Sequence, residues 1–398
     1  MGRELLLNAE FDLSLRPRWP GPSPAMDRQI RQMSWLHLLL AEPGDSVLVR
    51  EQVPEEFMLY LERSGLPVPP VVVEPEVTSD ARFSPFGWNR SAERLALRYA
   101  EPTPHPDVEV VRRVNGRSFA ARLEGDELCD DTVVAVVEHA EEIGAVAELH
   151  DRPGPWLVKS EHGAAGLGNR RLTAGAGVDT LAATVAALLA EDDRVVIERW
   201  RRRILDLTAT FRVTESGEAV DVACHEVVTT ADGAFIGALL APAGASPGLD
   251  PWRDRLTAVV GRTAAAAGRA GYHGEACLDA FVWRDDRGGA RLRPLADLNA
   301  RRHMSAVAGR LAGTLPRRCL YWRLLTRRKL KSLDGYEQLE RLLGRDRWDP
   351  DSGRGVLLTS PAWRSDGEQA EKAAVLIAAD DRTGIEDVER RLRRVWER

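Results

Sequence analysis

The sequence predicts an α/β (α+β) chain of more than one domain, and three observations carry that expectation. Short apolar runs alternate with helical patterns through about the first 125 residues, a strand, Gly-rich loop, helix and strand follow in succession, and residues 276–299 read as a long hairpin. A chain of 398 residues has room for two or three such units.

Taken in order, ELLLNAEFDLSL (4–15) opens as a strand and exits into the Pro-rich loop RPRWPGPSP. VLVRE (47–51) and PPVVVEP are a second and third strand, and DRQIRQMSWLHLLLAE has helical spacing. FSPFGWNRSAERLALRYAEP (83–102) begins the last helix of this N-terminal unit. TVVAVVEHAEEIGAVAELH (132–150) reads as a helix, WLVKS as a strand, GAAGLGN as a loop, GVDTLAATVAALLAEDD as a second helix and RVVIERW (194–200) as the next strand. Beyond the basic bend RRRILD come two strands joined by a Ser-Gly turn, then the Ala-rich helix RLTAVVGRTAAAAGRAG (255–271). A hairpin with the turn DDRGG closes the region, and no internal repeat is present. The expected units are an N-terminal α/β domain over 1–125, a central domain over 126–305 and a mostly helical C-terminal extension over 306–398.

Of 55 basic residues only four are lysine, at 159, 329, 331 and 372. Where arginine meets most demands for positive charge, a lysine marks a place that needs a compact charge on a flexible stem. A net charge of −6 exerts no general pull on nucleic acid or anionic membrane. Cys129, Cys224, Cys277 and Cys319 are widely spaced and read as reduced and mostly buried, and neighbouring Cys224 and His225 point to opposite faces of a strand. No apolar run approaches 18 residues and no signal-peptide pattern opens the chain, so a cytoplasmic protein is expected.

Three features bear chemistry. Lys159 ends a strand just before Gly163, Gly166 and Gly168, whose backbone N–H groups could approach an anion closely; the order is not that of a Walker A loop, and a plain turn has the same composition. In the hairpin, Asp297 and Asn299 share a face and pairing brings Asp279 beside them, three hard oxygen donors suited to magnesium; a solvent-facing polar edge is the alternative, which the apolar neighbours Leu278, Phe281, Leu295 and Leu298 disfavour. The exit of VVIERW toward Asp206 could offer backbone groups to a nucleobase and a carboxylate to a ribose.

The succession VKSEHGAAGLG, VVIERW, GYHGEACLDAFVW and PLADLNARR, over about 130–305, resembles the ATP-grasp superfamily, which includes D-alanine:D-alanine ligase, glutathione synthetase and biotin carboxylase. The resemblance implies an ATP-grasp fold behind a pre-ATP-grasp-like N-terminal domain, with ATP and Mg²⁺ as cofactors. It implies that Lys159 contacts phosphates under a lid of Gly163, Gly166 and Gly168, that Glu198, Arg199 and Trp200 form the adenine linker, and that Asp206 holds ribose. It assigns Asp279, Asp297 and Asn299 to the metal, with aspartate standing where the family's E-x-N motif has glutamate, and Arg301 to the transferred phosphoryl group. The family's second ATP lysine has no lysine here, and Arg117 takes its place.

Residues 301–331 carry ten Arg and Lys and no acid. They read as a solvated helical face, as a positive wall for nucleotide and an anionic co-substrate, or, with Tyr321 and Trp322, as a nucleic-acid contact, the reading least in keeping with an acidic chain. The expected function is an ATP-dependent ligase that joins a carboxylate to an amine through an acyl phosphate, on an amino acid or small peptide. An ATP-grasp kinase and a non-catalytic ATP-binding regulatory protein are the alternatives. Small-molecule carboxylate and amine are the expected partners, with no membrane, and a homo-oligomer is compatible with the sequence.

Overall fold

The computed structural model describes residues 2–77, 80–127, 133–139, 142, 155–164, 166–173, 175–230, 233–315, 318–330 and 333–396. Four strands, β1 (Arg3–Leu6), β2 (Ser46–Val49), β3 (Val71–Val73) and β4 (Arg82–Pro85), lie parallel in the order β3-β2-β1-β4. Parallel strands are covered on both faces and so read as unbroken apolar runs; Leu5, Leu6, Val47, Leu48 and Val49 are all buried. Strand β4 falls in the stretch expected only to start a helix. That helix comes after it, at Arg90–Ala96, capped by the Asn89 side chain on the Ala92 N–H, and it is not the last of the region: Val108–Val114 and Arg117–Glu127 are helical too.

A second sheet contains β5 (Val133–Val137), β6 (Trp156–Ser160), β7 (Asn169–Leu172) and β8 (Val195–Arg199), antiparallel in the order β5-β8-β6-β7. Residues 132–150 were expected to be helical, but Val133–Val137 is a strand, and most of residues 138–150 lie outside the described residues. The run VVAVV is β-branched and pairs with VVIER of β8, a partner that no local pattern reveals. Helix Val178–Leu189 lays Leu181, Val185 and Leu188 over Val158, Val195 and Ile197 of this sheet.

The third sheet has eight strands: β9 (Arg203–Val213), β10 (Ala219–Thr229), β11 (Phe235–Leu240), β12 (Gly274–Arg284), β13 (Ala290–Asn299), β14 (Cys319–Thr326), β15 (Gly355–Leu358) and β16 (Lys372–Ala379). Their order is β13-β12-β9-β10-β11-β14-β16-β15, antiparallel throughout. The segment RRRILD is no bend, since Arg203 already belongs to β9. Helix Arg253–Arg269 crosses β9 and β10 so closely that a Cβ on Gly268 would stand 2.4 Å from the Gly217 Cα, in the turn that joins those strands.

Residues 306–398 do carry helices at Ala306–Thr314, Tyr336–Leu343 and Arg382–Trp396, but they are not a separate helical extension, because β14, β15 and β16 complete the eight-stranded sheet. The basic run does not act as one surface: Arg301 lines the cleft described below, while Arg318 pairs with Asp380, Arg323 with Glu389 at 2.6 Å and Arg327 with Glu368 at 2.8 Å, acids late in the chain. Cys277 and Cys319 are buried free thiols and Cys224 a half-buried one; Cys129 lies outside the described residues. Among the described residues no helix is long and apolar enough to cross a membrane.

Ile377, fully buried in β16, tests this continuity. Ile377→Ala is expected to cost about 2–5 kcal/mol in a urea titration; unchanged stability would place β16 outside the cooperative core.

Candidate active site

A cleft opens between the β5–β8 sheet and the β12–β13 end of the large sheet. At its floor Lys159, buried at the end of β6, donates from Nζ to Glu198 Oε1 at 3.1 Å and to the Ala296 carbonyl of β13 at 3.2 Å. Burial lowers the lysine pKa, and Glu198 offsets part of that shift. Burial alone would raise the Glu198 carboxyl; Arg293 and Lys159 outweigh it and hold the group well below the usual carboxylate range. Arg293 donates to Glu198 through two nitrogens, each at 3.0 Å, and to Glu124 at 2.7 Å, which completes a buried ionic chain of four groups.

The Gly-rich segment folds back on itself: the Leu167 N–H donates to the Ala164 carbonyl at 2.8 Å and the Ser160 N–H to the Gly168 carbonyl at 2.9 Å. A Cβ on Gly163 would stand 2.3 Å from the Leu167 carbonyl oxygen, so this turn needs glycine there. Gly163 and Gly166 line the cleft, while Gly168 packs against Ser160 and Arg16 behind the turn. Arg117, first residue of its helix, lies beside Gly163 and donates to the Ser160 carbonyl at 2.9 Å and to Asp297 at 3.3 Å. The helix start is fastened by Glu161, whose carboxylate accepts from the Ser118 N–H at 3.0 Å and hydroxyl at 2.6 Å. A tethered guanidinium thus stands at the loop.

Across the hairpin Asp279 and Asp297 are direct partners, and Asn299 pairs with Cys277. Burial pushes the Asp279 carboxyl up to about 6, and the Asp297 charge adds to that shift. The Asn299 amide donates to Asp279 at 3.1 Å and accepts from Arg301 Nη2 at 2.9 Å. Among the described residues no group of three or more His, Cys, Asp and Glu side chains is placed for a metal. The set here is two carboxylates and an amide oxygen, hard donors of the kind a divalent cation with substrate phosphates would take. Arg301 is held by Asp12, which accepts from Nε with both oxygens at 3.0 Å, and its guanidinium lies over the Phe86 ring.

At the other end Trp200 and Phe281 line the cleft, stacked under Arg171 and Arg203 respectively, each 4.4 Å from the ring centroid. Asp206 accepts from Thr229 Oγ1 at 2.6 Å and from Arg203 at 3.2 Å, with its carboxylate at the cleft wall. Of the expected linker only Trp200 lines the cleft. The Glu198 carboxylate is held in the ionic chain below, and Arg199 is not among the lining residues, so a linker role for these two would rest on their backbone groups.

The same architecture occurs in solved structures. An N5-carboxyaminoimidazole ribonucleotide synthetase in its ADP complex has a TM-score of 0.55 at 12% identity over 92% of this chain and 96% of its own. The Campylobacter jejuni biotin carboxylase complex with β,γ-ATP has a TM-score of 0.54 at 13% identity over 89% of this chain and 87% of that one. The biotin carboxylase domain of Hydrogenobacter thermophilus 2-oxoglutarate carboxylase, with MgADP and bicarbonate, follows at 0.52 and 10% identity, over 87% and 83%. This chain has the ATP-grasp fold. No protein-family model and no curated protein sequence matches it.

Within the ATP-grasp cleft, Arg117, Lys159, Gly163, Gly166, Trp200, Asp206, Asp279, Asp297, Asn299 and Arg301 come together. Sequence reasoning missed Asp12, Arg203, Thr229, Phe235 and His303. Asp12 lies 289 positions from its partner Arg301, and no pattern joins them. His303 could have been noticed as a buried-type residue two positions after Arg301, in the run read only for its charge.

Two stability measurements test these electrostatics. Glu198→Ala leaves Lys159 and Arg293 buried without their common partner and is expected to cost about 3–5 kcal/mol in denaturant titrations. For Asp279 the folded pKa lies above the ordinary 3.8, so the charged carboxylate costs stability that grows as pH rises from about 4 to about 6 and is full above that. Asp279→Asn should therefore raise the melting temperature of the ligand-free protein at pH 8 and leave it unchanged near pH 4; equal melting at both values would refute the like-charge account.

Proposed function

We propose that this protein is an ATP-dependent ligase that activates a carboxylate as an acyl phosphate and transfers the acyl group to an amine, releasing ADP and phosphate. The observation that carries this reading is the convergence on one cleft of Lys159, the Gly163–Gly166 turn, the Asp279/Asp297/Asn299 face and Arg301. Lys159 and Arg117 are positioned to contact phosphate oxygens, and backbone N–H groups of the turn to close over them. Asp206 would accept from ribose hydroxyls, with Trp200 and Phe281 against the base. Magnesium held by Asp279, Asp297 and Asn299 Oδ1 would offset phosphate charge and polarise the γ-phosphoryl group. Arg301 retains N–H groups beyond those given to Asp12, Asn299 and the Arg302 carbonyl, and these would stabilise charge on the moving phosphoryl and the acyl phosphate. Attack by the amine on the acyl carbon expels phosphate. The cleft supplies positioning and fixed charge, and the turn excludes water from the acyl phosphate.

Amino-acid and short-peptide carboxylates are the first acyl-side candidates. Proteins with this fold are seen with bicarbonate and with 5-aminoimidazole ribonucleotide, so bicarbonate stands beside them. A kinase on the same site would release ADP without any amine; a regulatory binder would release none.

MgATP at 100 times its dissociation constant should stabilise the protein by about 2.7 kcal/mol, read as a melting shift of several degrees that Lys159→Ala and Asp297→Ala lose. In a screen of carboxylates and amines for ADP release, those substitutions are expected to lower turnover at least ~100-fold. Near-wild-type turnover in either would overturn the site, and ADP release indifferent to amine would replace ligase with kinase.

A further inference from the structure

Beyond the groups given roles above, the cleft wall holds a cluster that no nucleotide or metal contact explains. Strand β10 brings His225 beneath the segment after the hairpin, where His303 and Ser305 follow Arg301. All three are buried: Ser305 is 2% exposed, His225 5% and His303 7%. The His225 Nε2 lies 2.9 Å from Ser305 Oγ, and that hydroxyl lies in hydrogen-bond contact with His303 Nδ1. The Ser305 backbone N–H also points at His303 Nδ1, at 3.1 Å. The ring of His303 meets His225 edge to face at 5.4 Å and Phe235 at 5.6 Å, so it has little freedom to turn.

These contacts fix the protons. A backbone N–H can only donate, so His303 Nδ1 must be the unprotonated nitrogen and the neutral ring carries its hydrogen on Nε2. The Ser305 hydroxyl has one proton and two ring nitrogens in reach. It satisfies both only if it donates to His303 Nδ1 and accepts from a protonated His225 Nε2, giving the one-way chain His225 Nε2–H to Ser305 Oγ–H to His303 Nδ1. Burial lowers the pKa of both histidines, that of His225 to about 4, and the Arg301 charge disfavours a second proton on His303 further. Since His303 lines the cleft with Nδ1 engaged behind it, Nε2 is the nitrogen left to meet a ligand.

We propose that His225 and Ser305 are positioning residues that lock His303 as an Nε2–H donor, so that this wall, beside Arg301, recognises an oxygen acceptor of the acyl-side substrate. The inference rests on the ligase reading for the identity of that substrate, but the proton arrangement stands on geometry alone. It has a chemical consequence. A ring whose cleft-facing nitrogen already bears hydrogen cannot take the proton of the attacking amine there, so that proton leaves by another route, to phosphate oxygen or water. The wall also excludes an ammonium group, which has hydrogens to give and nothing to accept with.

The test is spectroscopic and needs no substrate. Protein labelled with ¹⁵N only in histidine is recorded at pH 7.5 by multiple-bond ¹H–¹⁵N correlation, the two rings being assigned by loss of signal in His303→Gln and His225→Gln. Both are expected as neutral Nε2–H tautomers. In Ser305→Ala the backbone N–H still keeps His303 as the Nε2–H tautomer, but its Nδ1, having lost the hydroxyl donor, should shift toward the value of a free unprotonated ring nitrogen, and Ser305→Thr, which keeps the hydroxyl, should restore it. A wild-type His303 with hydrogen on Nδ1 would overturn the donor assignment, and His303 signals identical in wild type and Ser305→Ala would overturn the positioning role. The MgADP melting shift, taken on the same samples, separates this inference from the one beneath it. Its absence in wild type removes the nucleotide reading while the tautomer result stands; its presence beside a failed tautomer result removes only the present inference.

Discussion

The cleft depends on a carboxylate already committed to two buried cations. Glu198 stands at the end of β8 between Lys159 of β6 and Arg293 of β13, and through Arg293 it reaches Glu124 of the preceding helix. One ion therefore ties the small sheet, the large sheet and the N-terminal helices at the point where phosphates would enter. Buried charges are costly to desolvate, and this set is tolerable because each member has at least one opposite partner and several hydrogen bonds. The arrangement also sets the lysine: fixed between Glu198 and the Ala296 carbonyl, Nζ loses little further freedom when it meets an anion.

The remaining cations of the cleft obey the same logic. Arg117 is tethered by the Ser160 carbonyl and Asp297, and Arg301 by Asp12 and Asn299. None swings free, so the positive charge of the cleft is held in place before any ligand arrives. The opposing face is left incompletely compensated, with Asp279 and Asp297 side by side.

The central motifs were legible because their meaning lies in short spacing. Lys159 before three glycines, and Asp297 with Asn299 on one strand face, need only the two-residue period of a strand and the steric freedom of glycine to be interpreted. Errors arose where long-range pairing decides. VVAVV was read as helix because its partner VVIER lies some sixty residues on. The C-terminal strands escaped notice because AAVLIAA, buried on both faces, has no alternation to distinguish strand from helix. The direction of the Glu198 side chain is set by Arg293, which sequence alone does not bring near. In the charge run 301–331 the same limit applies, since the counter-charges of Arg318, Arg323 and Arg327 lie beyond residue 367.

The bond between Asp12 and Arg301 has a consequence in time. Translation proceeds from the N-terminus at roughly 5–20 residues per second, so Asp12, in the short helix Phe11–Ser14, emerges well before the arginine that it must hold. Asp12 cannot settle in the dry pocket it occupies at the end, where its charge would be unmatched, until the hairpin and the residues after it have left the ribosome. Until then this corner of the N-terminal unit stays open to water. The cleft therefore becomes complete late, once both ends of this bond have been made.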